Sequence, residues 1–397
     1  MVYKQNMSLT LHAQPDKIYF DVVITNLQTI DTPPPTLYFN ETRSVPFLQN
    51  PQDYYLSIIR FTLDTPTLPI FIPEIQPNQG NLNLTIYSVT LSWTDPVSGT
   101  KYSQLTFITY QTQDNSAPVP LPPNQNPNGL QNNTTGYYSI YNFQYWIYLI
   151  NNAFTACFND LNTQVVAAGL VLPTTNAPVM TFDTNNQVAI INCDVLGYNY
   201  TSSNYIQIFM NPALYQLFSS FPFTINGLGS SVTNNENVLI QTNTFGGANV
   251  IPFPPINPTY DAIQVIQEYS TIALWSPITS VVFCSNTLPI VPTNISAPSV
   301  YYNGLSINNN GNNSNVSQII TDFVSDTGFY KPNIVYNPSA QYRLVDMTGN
   351  RPVSNLDISV YWKDRIGALQ PFLIGTGTTA TLKILFTRKG SIGTTKP

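Results

Sequence analysis

The chain has 397 residues, enough to bury a core without disulfides or metals, yet only 9% are charged against roughly 25% in an average globular chain. Forty-five asparagines, 33 prolines and 25 tyrosines stand where charge is missing, which excludes coiled coils and long solvent-washed helices, since both need charged faces. So neutral a surface suits burial against neighbouring subunits better than life as a soluble monomer.

Residues 1–110 read as antiparallel sheet, because the links between apolar runs are too short for crossover helices. Strand candidates are 18–24, 54–61, 82–87, 89–93 and 105–110; Leu82, Leu84 and Ile86 alternate with Asn81, Asn83 and Thr85, the period of a half-buried strand. Asp95 to Gly99 forms a hairpin turn after Trp93. Pro118, Pro120, Pro122, Pro123 and Pro127 then exclude helix and central strand. The period changes near Tyr141. Phe143, Trp146, Ile147, Ile150, Phe154, Cys157, Phe158 and Leu161 recur at three and four, predicting an amphipathic helix over 141–161. Strands at 179–182 and 188–192 flank a turn at Asp183, and a strand at 205–210 runs into Asn211-Pro212, the N-cap and first turn of a short helix at 213–218. Residues 226–260 are loop-rich, with Pro252, Pro254, Pro255 and Pro258. Strands resume at 272–275, 280–284, 318–323, 341–345, 356–362 and 379–386. The Asn/Gly/Ser run from Asn308 to Asn315 is a surface loop, and Asp364 to Gly367 is a turn.

One open sheet does not hold this many strands, whereas two packed sheets do. The expected fold is mainly β: an antiparallel jelly-roll sandwich with a large inserted lobe of strands and helix. Residues 1–110 and 261–397 make the two parts of the jelly roll, and 111–260 the inserted lobe.

Charge is sorted along the chain. Residues 1–101 carry five cations and eight acids, 102–330 nine acids and no cation, and 331–397 nine cations and three acids. A cation-free stretch of this length cannot wrap a polyanion, so nucleic acid is not an expected partner. Cys157, Cys193 and Cys284 are widely spaced and read as buried thiols of a reducing compartment. The start lacks the apolar run of a signal peptide, and no segment is apolar enough to span a bilayer.

The single histidine, His12, excludes His-dependent triads and multi-histidine metal sites. No glycine loop is followed by Lys-Ser/Thr, Gly375-Thr-Gly377 reads as a turn, and neither a cofactor nor an enzymatic activity is expected. Asp194, Asp261 and Glu268 are candidate carboxylates for glycoside chemistry, with surface turns an equal account of the first two. Trp146 and Trp275 are a candidate sugar platform, although core packing is the commoner fate of tryptophans in apolar-periodic segments. Lys363-Asp364-Arg365 beside Trp362 is either a wet turn with local ion pairing or a subunit-contact element, since Arg and aromatic residues are favoured at interface centres.

The runs at 336–349 (Tyr-Asn-Pro-Ser-Ala-Gln-Tyr-Arg-Leu-Val-Asp-Met-Thr-Gly) and 356–372 (Leu-Asp-Ile-Ser-Val-Tyr-Trp-Lys-Asp-Arg-Ile-Gly-Ala-Leu-Gln-Pro-Phe) resemble the end of penton, or minor capsid, proteins of virophages and related small jelly-roll dsDNA viruses. The closing run at 380–386 is similar to the last strand of such a barrel. The resemblance implies an upright jelly roll with an inserted upper domain, five copies of which close an icosahedral vertex. It implies a homopentamer beside major capsid subunits, a lobe that meets a host surface receptor, assembly into virions and synthesis in the cytoplasm of the infected cell. It carries over no catalytic residue. The charge sorting makes Arg343, Lys363, Arg365, Arg388 and Lys389, with Trp362 beside them, the expected contacts to neighbouring subunits, or for the cations to the particle interior. The alternatives are another capsid subunit or a virion attachment protein. A double-jelly-roll major capsid protein needs two strand octets, for which the chain is short, and no repetitive fibre shaft is visible.

Overall fold

The computed structural model describes residues 14–391 apart from 30–33, 79, 127–128, 230–233, 243–248, 254–259, 295–298, 303–304, 309–315, 325–331 and 338–342. His12 and most of the Asn-rich run and of the second proline loop lie outside the described residues, as do the first two residues of the candidate strand at 341–345, of which only Val345 is in a strand.

In chain order, β1 is Lys17–Thr25, β2 Tyr38–Thr42, β3 Tyr54–Asp64, β4 Leu84–Thr94 and β5 Lys101–Thr109, followed by α1, Phe143–Ala167. Next come β6 Val179–Asp183, β7 Val188–Asp194, α2 Val195–Tyr198, β8 Ile206–Met210, α3 Pro212–Leu217, β9 Phe223–Ile225, β10 Val238–Ile240, β11 Asn249–Phe253 and β12 Tyr260–Ile266. The remainder is β13 Ile278–Cys284, β14 Thr293–Asn294, β15 Ser299–Tyr302, β16 Leu305–Asn308, β17 Val316–Ser317, β18 Ile319–Phe323, β19 Asn333–Tyr336, β20 Val345–Asp346, β21 Asn355–Asp364, β22 Leu369–Pro371 and β23 Thr379–Arg388.

Two compact units result: 1–68 with 278–397, and 69–277. The first is the jelly roll. One of its sheets runs β1-β23-β3-β19 with β20 on β3, and the other runs β18-β13-β21-β2 with β22 on β21. Counted in chain order, the eight main strands read 1-8-3-6 and 5-4-7-2, the jelly-roll order. Alternation sorts their side chains. Phe20 and Val22 of β1, Phe61 and Leu63 of β3, and Leu382 and Ile384 of β23 are buried, while Tyr19 and Val23 are exposed. Facing them, Val281 and Phe283 of β13 share an inner face with Val360 and Trp362 of β21. Phe61 joins the sheets, its ring 5.0 Å from Phe283, 4.9 Å from Phe323 and 5.3 Å from Tyr336. Burying a side chain of this size stabilises by about 1.5–3 kcal/mol.

The second unit has the sheets β5-β4-β8-β10-β9 and β11-β12-β7-β6, with α1 packed against β4, β5 and β6. Asn142 caps α1, its side chain accepting from the Tyr145 N–H at 2.8 Å. Trp146, Ile150, Phe154, Cys157 and Leu161 form the buried stripe. Asn211 caps α3 by accepting from Leu214 N–H at 3.0 Å, with Pro212 in the first turn as expected.

Several sequence expectations shift. The insertion spans 69–277 rather than 111–260, because β4 pairs with β8 and so belongs to the sheet of the lobe, although its local pattern is that of a barrel strand. The expected strands at 82–87 and 89–93 are one strand with an irregular register between Leu84 and Ser88. The helix runs to Ala167 rather than 161. Val165 continues the stripe, and the stop falls at Gly169, whose φ of 74° suits a residue without Cβ. Residues 272–275 are not a strand. Ile272–Leu274 is a single 3-10 turn that drops the Trp275 ring into the interior, where its Nε1–H donates to Leu217 O at 2.9 Å.

Candidate subunit-contact surface

In β21, Trp362 lies opposite Val281 and faces the interior at 7% exposure, so alternation turns Lys363 outward. Trp362 therefore supports the strand from beneath and is not itself presented to a neighbour. Lys363 lines a groove of about 520 Å³ with Arg343, Asp322, Thr293 and Leu369. The Arg343 guanidinium donates to the Asp322 backbone oxygen, lies 3.2 Å from its Oδ1 and stands over the Phe323 ring at 5.7 Å. Lys363 has no ion-pair partner among the described residues. Arg365, two residues on, is exposed in the turn.

Asp364, between the two cations, is committed to the turn. Its Oδ1 accepts from the N–H groups of Ile366 at 3.1 Å and Ala368 at 2.8 Å, and its Oδ2 from Gln370 at 3.4 Å. Burial pushes its carboxyl above the usual range despite these bonds. Lys363 thus presents its charge without help from the neighbouring carboxylate.

Arg388 and Lys389 form a separate cluster. Arg388 ends β23 opposite Tyr54, at the start of β3, while Lys389 lies 2.8 Å from Asp346 and 5.2 Å from the Tyr55 ring. The six expected contacts thus resolve into a groove pair (Arg343, Lys363) with Arg365 beside it, an end cluster (Arg388, Lys389) and a core residue (Trp362). Sequence reasoning misses Asp322 and Asp346, the acids that hold Arg343 and Lys389. No local motif marks a pair formed between segments this far apart in the chain. A further charged spot lies on the outer face of the first sheet, where Asp21 is 3.3 Å from Lys383 and 3.5 Å from Arg60. Such exposed pairs contribute about 0–1 kcal/mol each.

The candidate sugar residues separate. Trp146 and Trp275 are fully buried, with Phe71 4.7 Å from Trp146 and Phe218 5.2 Å from Trp275. Asp194 is buried, caps α2 and accepts from Thr174 and Asn176. It lies opposite Ala262, so the adjacent Asp261 points to the other face of the sheet, and the two carboxylates do not form a pair. Glu268 is exposed, its backbone N–H bonded to Ser220 O at 3.0 Å. Gly377 turns with φ 79° while its N–H donates to Asn26 O, a purely structural turn. Among the described residues no three His, Cys, Asp or Glu side chains gather to hold a metal, and no helix is long and apolar enough to cross a membrane.

Comparison with known proteins gives this barrel its context. The family model of the Sputnik minor capsid protein V18/19 matches residues 18–388. "Structural protein V19" of Sputnik virophage is 29% identical over 213 residues, covering 52% of this chain and 93% of that protein. "Uncharacterized protein V18" of the same virophage is 32% identical over 155 residues, covering 39% of this chain and 89% of that protein. A chain of the Sputnik virophage, solved by cryo-electron microscopy at 3.5 Å, superposes with a TM-score of 0.77 at 27% identity, over 95% of this chain and 99% of that one. The mavirus penton protein shares the fold, with a TM-score of 0.58 at 16% identity over 94% of this chain and 100% of its own. The chain belongs to the Sputnik minor capsid protein V18/19 family and is a structural protein of the virion.

Proposed function

We propose that five copies of this chain close the icosahedral vertex of a virophage particle, with the jelly roll as the wall of the penton. The observation that carries this is the jelly roll itself, with its insertion between the third and fourth main strands, matched over 95% of the chain by a Sputnik virophage protein. The likeness of fold to the mavirus penton protein and the 9% charge support it, since neutral sides suit subunit contact. The role is structural rather than enzymatic. Synthesis in the cytoplasm of the infected cell accords with three buried cysteines that form no disulfide. The lobe of 69–277 is the part offered to a host surface.

In this reading Lys363 and Arg365, with Arg343 in the same groove region, dock acidic groups of neighbouring major capsid subunits through charge-assisted hydrogen bonds, and Arg388 and Lys389 form a second contact. Such bonds fix register more than they add net affinity. Mass photometry of the purified chain, alone and with major capsid protein, should find pentamers; a monomer under both conditions overturns the assignment. Reversing Lys363 and Arg365 to Glu should leave the fold intact, as surface changes seldom exceed about 0.5 kcal/mol. Particles carrying the double variant should lose pentons, and full vertex occupancy would assign these side chains to an ordinary solvated turn.

A further inference from the structure

The unit 69–277 carries one cation, Lys101, and nine acids. Its tryptophans are in the core, so the aromatic surface it exposes is largely tyrosine. Tyr141 and Tyr148 are each 50% exposed. A cleft of about 620 Å³ opens between the proline loop (Pro120, Leu121, Pro123) and the turn leading into α1, with Gln113, Asp114 and Tyr141 along it.

Its walls are fixed by contacts of their own. Gln113 Oε1 accepts from the Tyr141 backbone N–H at 3.4 Å, which ties the strand exit to the start of the helix. The Tyr137 hydroxyl donates to Asn83 Oδ1 at 3.2 Å, and its ring stands edge-on to Tyr138 at 4.9 Å. Asp114 accepts from the Ser116 N–H at 2.7 Å and from the Ser116 hydroxyl, and these bonds draw its carboxyl below the usual range. Beyond the mouth, Tyr145 and Tyr148 lie ring to ring at 6.0 Å along α1.

This lining selects a ligand class. Aromatic, prolyl and leucyl surfaces offer apolar planes; the Gln113 amide, the Asp114 carboxylate and the hydroxyls of Thr112 and Thr135 offer hydrogen bonds at the edges. No cation lines the cleft, and none occurs anywhere from 102 to 330. Phosphorylated, sulfated or sialylated ligands therefore meet a like-charged surface. A neutral pyranose matches both features, having an apolar C–H face for a ring and a rim of hydroxyls for a carboxylate and an amide. We propose that this cleft binds neutral oligosaccharides, with Tyr141 as the stacking plane and Asp114 and Gln113 as the partners of sugar hydroxyls. The proposal does not depend on the pentameric vertex, because every group it uses lies within one copy of the lobe.

The test uses the full chain with cellotetraose, chitotetraose and mannotetraose as neutral probes and 3′-sialyllactose as the anionic one, by saturation-transfer NMR and calorimetry. At least one neutral probe should bind with Kd of about 0.1–1 mM, while sialyllactose should not. Tyr141→Ala and Asp114→Ala should each weaken binding about tenfold, the equivalent of roughly 1.4 kcal/mol. Tyr141→Phe, which keeps the ring, should bind as the parent does. Unchanged melting temperatures should accompany both alanine variants, since the two side chains are exposed. The proposal fails if no neutral probe saturates by about 10 mM, if sialyllactose binds equally well, or if both alanine variants keep the parent affinity. A folding defect in Tyr141→Ala would leave Asp114→Ala and Tyr141→Phe to decide.

Discussion

Replacing Phe61 by alanine should weaken the jelly roll selectively. The ring is 1% exposed and touches Phe283 and Phe323 of the opposite sheet and Tyr336 of its own. Truncation removes the transfer free energy of a buried phenyl group and leaves a cavity that two sheets cannot easily collapse, a combined cost of about 3–5 kcal/mol. Each aromatic pair lost accounts for about 0.5–1.5 kcal/mol within that total. For a unit of this size 1 kcal/mol moves the melting temperature by about 2–4 °C, so the barrel transition should fall by roughly 10 °C. Two units need not melt together, so hydrogen exchange is the better assay. Peptides from 17–68 and 278–388 should lose protection in the variant, while those from α1 and β6 to β8 change much less. Phe61→Leu, which fills most of the cavity, should recover over half of the loss. Equal loss of protection across both units, or none in β13 and β18, would refute the claim that this ring joins the two sheets.

Four further outcomes are expected. Asn211→Ala removes the α3 cap together with bonds to Ser88 N–H at 3.1 Å and Ile86 O at 2.7 Å, and should lower lobe stability by about 2–3 kcal/mol in a denaturant titration. Burial raises the Asp357 carboxyl, but the Ser285 and Thr287 hydroxyls and the N–H groups of Asn286 and Thr287 outweigh it and leave it below the usual range. Its stabilisation is therefore complete above the unfolded pKa of about 3.9 and lost as pH falls through the lower folded value, so acid melting of the barrel should be flatter in Asp357→Asn. Asp364 runs the other way. With its carboxyl raised, its contribution is complete below about pH 4 and lost as pH rises through the folded value, so Asp364→Asn should melt at the same or a higher temperature at pH 7, the difference vanishing in acid. Replacing 69–277 by a flexible linker of about ten residues should leave a folded barrel by circular dichroism, because loop closure adds little cost; a molten spectrum would count against independent units.

How much of this was legible depends on the range of the interaction that decides it. The inner strands at 54–61, 280–284, 356–362 and 379–386 announce themselves because both sheets need alternating apolar residues there. β2 does not: Tyr38-Phe-Asn-Glu-Thr42 is a half-exposed edge strand with a polar sequence. The place of Trp362 was available from the same alternation, since Leu356, Ile358, Val360 and Trp362 share one parity and all four are buried. Membership of β4 in the lobe was not available, because it rests on pairing with β8 more than a hundred residues away. The groove of Arg343 and Lys363 is of the same kind. Each cation is visible in the sequence, but their common groove comes from packing of β18, β21 and the 343–345 segment.

The ladder between β1 and β23 gives the molecule a timetable. All nine residues of β1 pair with β23, which also fills the space between β1 and β3. On the ribosome β1 and β3 emerge early and wait with open edges, because the strand that joins them is the last of the described strands to be made. The lobe is contiguous, 69–277, and has all its partners before β13 appears. At about 5–20 residues per second, translation of 278–397 takes on the order of 10 s. During that interval a folded lobe is tethered to an unfinished sheet, whose exposed strands are the most aggregation-prone part of the nascent chain. Synthesis order therefore makes closure of the first sheet wait for β23: until that strand has been made, neither β1 nor β3 has the neighbour that lies between them.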